Sequence, residues 1–497
     1  MKHPIRYRVA ISISALLGLA FMAVLLSRTA FALAPPAAAV IATPHYIAGA
    51  GGDETVADAD FYPAVAYDAS TQRFLVIWLS ARNAINPTDG LDVYGILLDR
   101  YGAPLAAEFR ISDSNTVALN SLPTVAAGAG EFTVSWTKRG NACAVLAQKV
   151  LDTSLAPDRL LASGGMHYHS PNLTFNPKTK KYAAIFIAGD EYMAPALYGA
   201  ATSDCGSNPE SDSQPMAVQF SWQGNELNVE APINLATNAS GAFRPQLAYS
   251  SEMDQYLAVW EDRRNAAEKV DYFQVTAQRV DHDWTLSGQN LMLSAGGLYT
   301  SPDSSATWTP RPVVSAGRIN FLVSWFTRKA EATAVLWSVQ ARLLSSSGAV
   351  EATFPLARNN FAQSHPENAP TGFLASAYAP GIDEYLVGLS SHVESFWGYF
   401  SLALVQRVRA DGTLLRLDGS VQDQPGVGYS IDYENDDQIN IGLVADTLQK
   451  FSAHYLAVYS KHPLDHSELD FDIWGTRIFI PAANSRNLYL PTILLKE

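Results

Sequence analysis

One phrase recurs, with variations, about seven times between residues 60 and 480. One copy reads Pro63-Ala-Val-Ala-Tyr67, Arg73-Phe-Leu-Val-Ile-Trp78, Asp92-Val-Tyr-Gly95, Asp99 to Gly102, and Ile111-Ser112. Another reads Pro245-Gln-Leu-Ala-Tyr249, Tyr256-Leu-Ala-Val-Trp260, Val275-Thr-Ala-Gln-Arg-Val280 and Leu291-Met-Leu-Ser294. A unit of this size cannot bury its own faces, so it is copied until neighbouring copies bury one another. The chain is thereby confined to a repeat architecture.

Within each copy the apolar residues alternate. Phe74, Val76 and Trp78 share one face of a strand, as do Phe132, Val134 and Trp136, Tyr256, Ala258 and Trp260, and Phe321, Val323 and Trp325. Turn residues such as Thr71-Gln72 and Asp411-Gly412 separate the runs, and no long helix is predicted. Aligned on the second strand, the copies place Trp78, Trp136, Phe186, Trp260, Trp325, Leu389 and Tyr459 in register, at gaps of 58, 50, 74, 65, 64 and 70 residues. That spacing suits four short strands per copy with some long loops. Pro123, Pro171, Pro245 and Pro312 open the first strands, where a missing N–H is harmless.

The expected fold is all-β: a β-propeller of seven four-stranded antiparallel blades, whose radial arrangement buries the sheet faces and leaves only short edges. The seventh copy has a second strand at His454–Tyr459 and a third at Phe471–Gly475, but no clear fourth. His45-Tyr-Ile-Ala48 reads as the missing strand, so the N-terminal segment is expected to close the ring. Phe186 and Leu389 stand where Trp is expected, which leaves six or eight blades open. On the motifs Trp260-Glu-Asp-Arg-Arg264, Asp92-Val-Tyr-Gly95, Asp472-Ile-Trp-Gly475 and Asp411-Gly412, the chain resembles the exported bacterial β-propellers built from such repeats. The resemblance spans nearly all of the chain after its first 32 residues. It implies the fold and names no ligand, because propellers host many unrelated activities.

The ends read differently. Lys2, Arg6 and Arg8 precede an apolar run from Val9 to Leu26, followed by Ala30-Phe-Ala32, the order of a secretory signal. The 18-residue run is also just long enough for a membrane anchor. Residues 1–32 are therefore read as signal or anchor, 33–43 as an Ala/Pro linker, 44–480 as the propeller and 481–497 as a tail. Tyr489 to Leu495 within the tail reads as a last packed strand or a sorting tag. The expected location is extracellular or at the cell surface. Lys plus Arg number 34 against 48 Asp plus Glu, a net charge of -14, and without residues 1–32 the charge would be -18. That excess disfavours nucleic acid and anionic membrane surfaces as partners.

Loops after the second strand and between copies should open on one face, which collects the long segments 79–90, 187–216, 295–311, 358–370 and 420–438. Tyr192, Tyr299, Trp308, Phe361, His365, Tyr429 and Tyr433 on these loops or beside them are the candidate ligand-binding residues, suited to a glycan or protein partner. The alternative is that the loops only cover the ring. Cys143 and Cys205 fall in the second-to-third loops of copies two and three. Outside the cell they are expected to form a disulfide, against two buried thiols. His167-Tyr-His169 and His462 with His466 have metal-compatible spacing but no nominated third ligand, and are read as solvated loop histidines.

Asp465–Asp472 and Asp432–Asp437 could offer oxygens to Ca²⁺ but lack the fixed spacing of a calcium loop, so no cofactor is expected. The Trp260–Arg264 run, partly echoed at Arg82, Arg139 and Arg328, is expected to fix a turn. Ser301 to Trp308 is similar to the Asp-box turn of sialidase propellers, with Ser305 where Gly belongs. A carbohydrate-active hydrolase would need convergent Arg, Tyr or paired carboxylates in the central funnel, and the sequence assigns none. No nucleophile elbow, P-loop, zinc-protease helix or dinucleotide fingerprint occurs. Asn172 and Asn238 sit in glycosylation sequons. The function expected is ligand binding through the loop-rich face, with a propeller hydrolase as the alternative.

Overall fold

The computed structural model describes residues 38–48, 60–82, 91–112, 119–128, 130–139, 142–153, 155, 157–190, 205, 213–236, 241–263, 273–294, 311–331, 334–359, 374–395, 398–426, 428–432, 437–462 and 471–481. The signal or anchor and the tail lie outside them. Seven antiparallel sheets follow one another along the chain and stand in a ring, a β-propeller without helices among the described residues.

From the axis outward, blade 1 is Asp60–Asp68, Arg73–Ser80, Asp92–Asp99 and Phe109–Arg110. Blade 2 is Leu119–Gly128, Glu131–Arg139, Ala144–Val150 and Arg159–Ala162. Blade 3 is Tyr168–Asn176, Lys181–Ala188, Gln214–Gln223 and Glu226–Val229. Blade 4 is Ala242–Ser250, Gln255–Asp262, Gln274–Asp281 and Leu286–Met292. Blade 5 is Val313–Ala316, Asn320–Glu331, Ala334–Ser345 and Val350–Asn359. Blade 6 is Leu374–Ala379, Glu384–Ser395, Gly398–Arg409 and Leu414–Leu415. Blade 7 has Asp437–Ala445, Ala453–His462 and Asp472–Ile480.

The seven aligned anchors, Phe186 and Leu389 included, all lie on second strands. These strands are apolar on both faces because each face meets another blade. In blade 1, Phe74, Val76 and Trp78 pack towards blade 7, while Leu75, Ile77 and Leu79 pack against Phe132, Val134 and Trp136 of blade 2. In the four blades where it is Tyr, the first aromatic of the second strand also latches the blade to its predecessor. Tyr182 Oη donates to Gly128 O at 3.3 Å, and Tyr385 Oη to Asn320 Oδ1 at 2.7 Å. Tyr256 Oη accepts from Asn176 Nδ2 at 2.9 Å. Phe74, Phe132 and Phe321 fill the same position without the hydroxyl.

The ring closes as the sequence predicts. His45 pairs with Gly475, Tyr46 with Trp474 and Ala48 with Ile473. Val40 and Ile41, read as linker, extend the closure by pairing with Phe479 and Ile478. The recurrent glycine after Val-Tyr or Ile-Trp explains the equivalence. A Cβ on Gly95 would sit 2.8 Å from Ile111, the residue after the blade 1 outer strand, and one on Gly475 would sit 2.3 Å from Ile47. The N-terminal strand thus occupies, in blade 7, the place an outer strand holds in blade 1.

Cys143 and Cys205 form a disulfide joining the second-to-third connections of blades 2 and 3. No helix among the described residues is long and apolar enough to cross a membrane.

Candidate functional site at the channel mouth

Each inner strand starts after a blade-to-blade connection and runs away from it. The register places its first residues beside the end of the second strand, as Asp60 beside Ser80, where the second-to-third loop departs. The start of every inner strand therefore lies at the loop-rich end of the axial channel. Just inside that end the register slips: between Phe61 and Ala64, Ser121 and Thr124, His169 and Asn172, Phe243 and Gln246, and Ile439 and Gly442.

The residue at each slip is left-handed, with φ of 52° at Tyr62, 51° at Leu122, 55° at Ser170, 45° at Arg244 and 57° at Asn440. Arg311 has the same conformation, φ 45°, before Pro312. Non-glycine residues resist this region, and residues before proline resist it more, so each bulge stores about 1–3 kcal/mol. A bulge re-aims a side chain. Here it turns the residues before the prolines towards the axis.

The resulting cavity encloses about 380 Å³ and is lined by inner strands of all seven blades. Its two sides differ. Blades 3 to 5 supply both arginines with His169, Ser170, Asn172 and Gln246, whereas the other blades supply Tyr62, Thr124, Ser376 and Asn440 among apolar residues such as Leu374 and Ile441. Asn172 donates from Nδ2 to Gln246 Oε1 at 3.0 Å and accepts from the Leu247 N–H at 2.8 Å, so its sequon is spent on the channel wall.

Charge gathers at the mouth. Glu261, 0% exposed, accepts from Arg244 Nη1 at 3.1 Å (Oε2) and 3.3 Å (Oε1), and from the Arg311 N–H at 2.7 Å. Burial and then the like charge of Arg244 bring the Arg311 guanidinium down to about 10, so it remains a cation at neutral pH. Burial pushes the Tyr62 phenol up, and Arg311, Arg244 and Arg139 pull it back. Arg139 is itself held from Nε by Ser121 Oγ at 3.0 Å. Arg244 and Arg311 thus line the cavity side by side, in a chain whose net charge is -14.

Of the aromatic and histidine candidates read from sequence, Tyr192, Tyr299, Trp308, Phe361, His365 and Tyr433 lie outside the described residues. Tyr429 pairs with Val405 in blade 6, packs on the blade 6–7 core and does not line the cavity. Of the histidines expected to be solvated, His466 lies outside the described residues and the other three make contacts within the fold. His169 is buried in the channel wall with Nδ1 3.0 Å from Ser170 Oγ, His167 Nδ1 accepts the Cys143 N–H at 3.1 Å, and His462 packs against Phe471. Described residues hold no cluster of metal-ligating side chains. Asp432, expected in an acidic turn, is buried against Lys461 at 3.2 Å and Tyr459 Oη at 2.8 Å.

The turn expected after the Trp260–Arg264 run lies outside the described residues. Asp262 accepts from Trp260 Nε1 at 3.0 Å inside the blade, and Glu261 serves the mouth. The signal that sequence reading passed over was the residue before each proline.

No protein-family model matches the chain, and no curated protein matches it. Solved structures similar to it include Trypanosoma rangeli sialidase with the inhibitor DANA, at 9% identity and TM-score 0.41, over 88% of this chain and 59% of the sialidase. A neuraminidase-like protein from A/bat/Guatemala/164/2009 is similar at 9% identity and TM-score 0.44, over 90% of this chain and 95% of its own. The N11 neuraminidase-like protein of A/flat-faced bat/Peru/033/2010 is 8% identical at TM-score 0.42, over 91% and 96%. The chain spans little more than half of the sialidase. At such identities the likeness is one of fold.

Proposed function

We propose that this propeller binds an acidic glycan at the loop-rich mouth of its channel, with the sugar carboxylate on Arg244 and Arg311. The observation that carries the reading is the pairing of Arg244 and Arg311, both on the cavity wall, at the buried Glu261. Guanidinium forks match carboxylates in geometry, and a partly desolvated site strengthens the pairing. A 380 Å³ cavity lined by amides, hydroxyls and apolar groups together suits a sugar residue better than a flat protein surface. An exported chain that meets glycans outside a cell fits the N-terminal signal read from sequence.

The test is calorimetric binding of uronate and sialylated oligosaccharides, with their methyl esters as uncharged controls. Arg311→Met keeps the backbone N–H that Glu261 accepts, and should weaken acidic glycans on the order of a hundredfold, about 2.7 kcal/mol, with little change in stability. Equal binding of acids and esters, or an unaffected Arg311→Met protein, would sink the reading.

Tyr62 beside arginines favours a second reading, a hydrolase with the phenol as nucleophile, the exception known among sialidases. A nucleophilic phenol needs a base to take its proton, and no carboxylate among the described residues lines the cavity. Binding is therefore the stronger reading. Turnover of a fluorogenic acidic glycoside that Tyr62→Phe abolishes while binding persists would reverse the order.

A further inference from the structure

We propose that Glu261 is the specificity-determining residue of the mouth: it positions Arg244 and Arg311, and its charge tunes the site to singly charged acids over doubly charged ones. The inference rests on the mouth being an acid-binding site.

Its first support is positional. Opposite the residue before each bulge, the second strand carries Leu79 in blade 1, Thr137 in blade 2, Ile187 in blade 3 and Ser460 in blade 7. Blade 4 carries Glu261 there, opposite Phe243. A fully buried carboxylate where other blades place apolar or small groups is costly unless its partners are built around it. They are. Arg244 reaches it from the same blade, and the Arg311 N–H reaches it from the start of the next.

The second support is conformational. Arg244 and Arg311 are both left-handed before a proline, a state the backbone holds only when surroundings impose it. Glu261 touches both residues, one through its side chain and one through its backbone. It therefore ties the strained bulge of blade 4 and the strained residue at the entry of blade 5 into one unit. A ligand acid reaching these arginines meets a field from which one positive charge has already been subtracted. A dianion feels each added or removed charge twice, so Glu261 weakens dianions more than monoanions.

The experiment compares glucuronate, a monoanion, with glucose 6-phosphate at about pH 7.5, where a phosphate monoester with a second pKa of about 6 is a dianion. Glu261→Gln should move the affinity ratio about tenfold towards the phosphate, the worth of one partly screened charge. A ratio that stays put while both affinities fall together would overturn the inference and leave Glu261 a structural group. If the single variant fails to fold, Glu261→Gln with Arg244→Gln removes the pair without leaving a buried charge unbalanced. That protein should bind both acids more weakly at the wild-type ratio, and a shifted ratio there would also overturn the inference. Failure of the underlying reading looks different: wild-type protein would bind neither acid, whatever stands at 261.

Discussion

Glu261 and Asp60 are both fully buried carboxylates at the loop-rich end of a blade, and they have opposite surroundings. Glu261 is met by a guanidinium and a backbone N–H from two arginine residues. Asp60 shares its one cation, Arg82 at 3.1 Å, with Glu108, and its Oδ1 is buried with no hydrogen-bond partner. Burial pushes the Asp60 carboxyl up to about 8 against the pull of Arg82 and of a Ser80 hydrogen bond, with Glu108 and Asp472 adding to the rise. Burial, followed by Asp472, Glu108 and Asp60, also pushes the Tyr46 phenol of the closure strand up to about 12. One carboxylate with ample donors orients cations towards a cavity. The other, crowded by acids, retains its proton and lies at the seam where blade 1 meets blade 7, its N–H on Phe471 O.

The largest effect expected from this contrast is at position 261. Glu261→Leu leaves the Arg244 guanidinium without its buried counter-charge and should cost about 3–5 kcal/mol in urea unfolding. Asp60→Asn spares folding the cost of protonating a carboxylate that is ionised in the unfolded chain, so near neutral pH the variant should be at least as stable as the wild type. Equal losses would break the contrast.

A smaller effect separates the two by pH. The folded value of Asp60, about 8, lies above the ordinary 3.8, so its contribution is complete below about pH 4 and declines as pH rises towards 8. Wild-type stability should fall on the alkaline side through that group, and Asp60→Asn should flatten the fall. Urea midpoints between about pH 6 and pH 9 measure it. An alkaline limb that Asp60→Asn leaves unchanged would place the titration elsewhere.

The blades were legible because their physics is local. Alternation on Phe74, Val76 and Trp78, repeated seven times, fixes strands, and the fourth strand missing after Gly475 points to His45–Ala48. Phe186 and Leu389 weakened the motif without changing the strand, because a second strand buried on both faces needs only bulk there. The mouth was not legible. Pro63, Pro123, Pro171, Pro245 and Pro312 read as strand starts with a harmless missing N–H, yet what matters is the left-handed residue before each, and residues before proline ordinarily avoid that conformation. Glu261 was visible beside Asp262, but its partner Arg244 stands 17 positions away on the neighbouring strand of the blade and Arg311 stands 50 positions away, the second a pairing that only the ring creates.

The smallest expected effect lies at the opposite end of the same seam, where the closure strand meets the turns. His45 contacts the Gly102 backbone, and His454 Nδ1 lies 3.5 Å from Arg477 Nη2. Both imidazoles are held below the ordinary 6.5, first by burial and then, after the Gly102 hydrogen bond that opposes it at His45, by Arg477; Arg100 adds to the fall at His454 and Asp446 opposes it. A histidine with a lowered folded value contributes stability above about 6.5 that is lost as pH falls through that folded value. The acid side should therefore loosen the turn end of the closure strand while the alkaline side loosens its mouth end, leaving a maximum between. His454→Gln, which preserves an acceptor for Arg477, should soften the acid limb less than Asp60→Asn softens the alkaline one. Hydrogen exchange at residues 45–48 reads the difference directly. If His45→Gln combined with His454→Gln leaves acid-side exchange as fast as in the wild type, the two ends of the seam do not oppose one another.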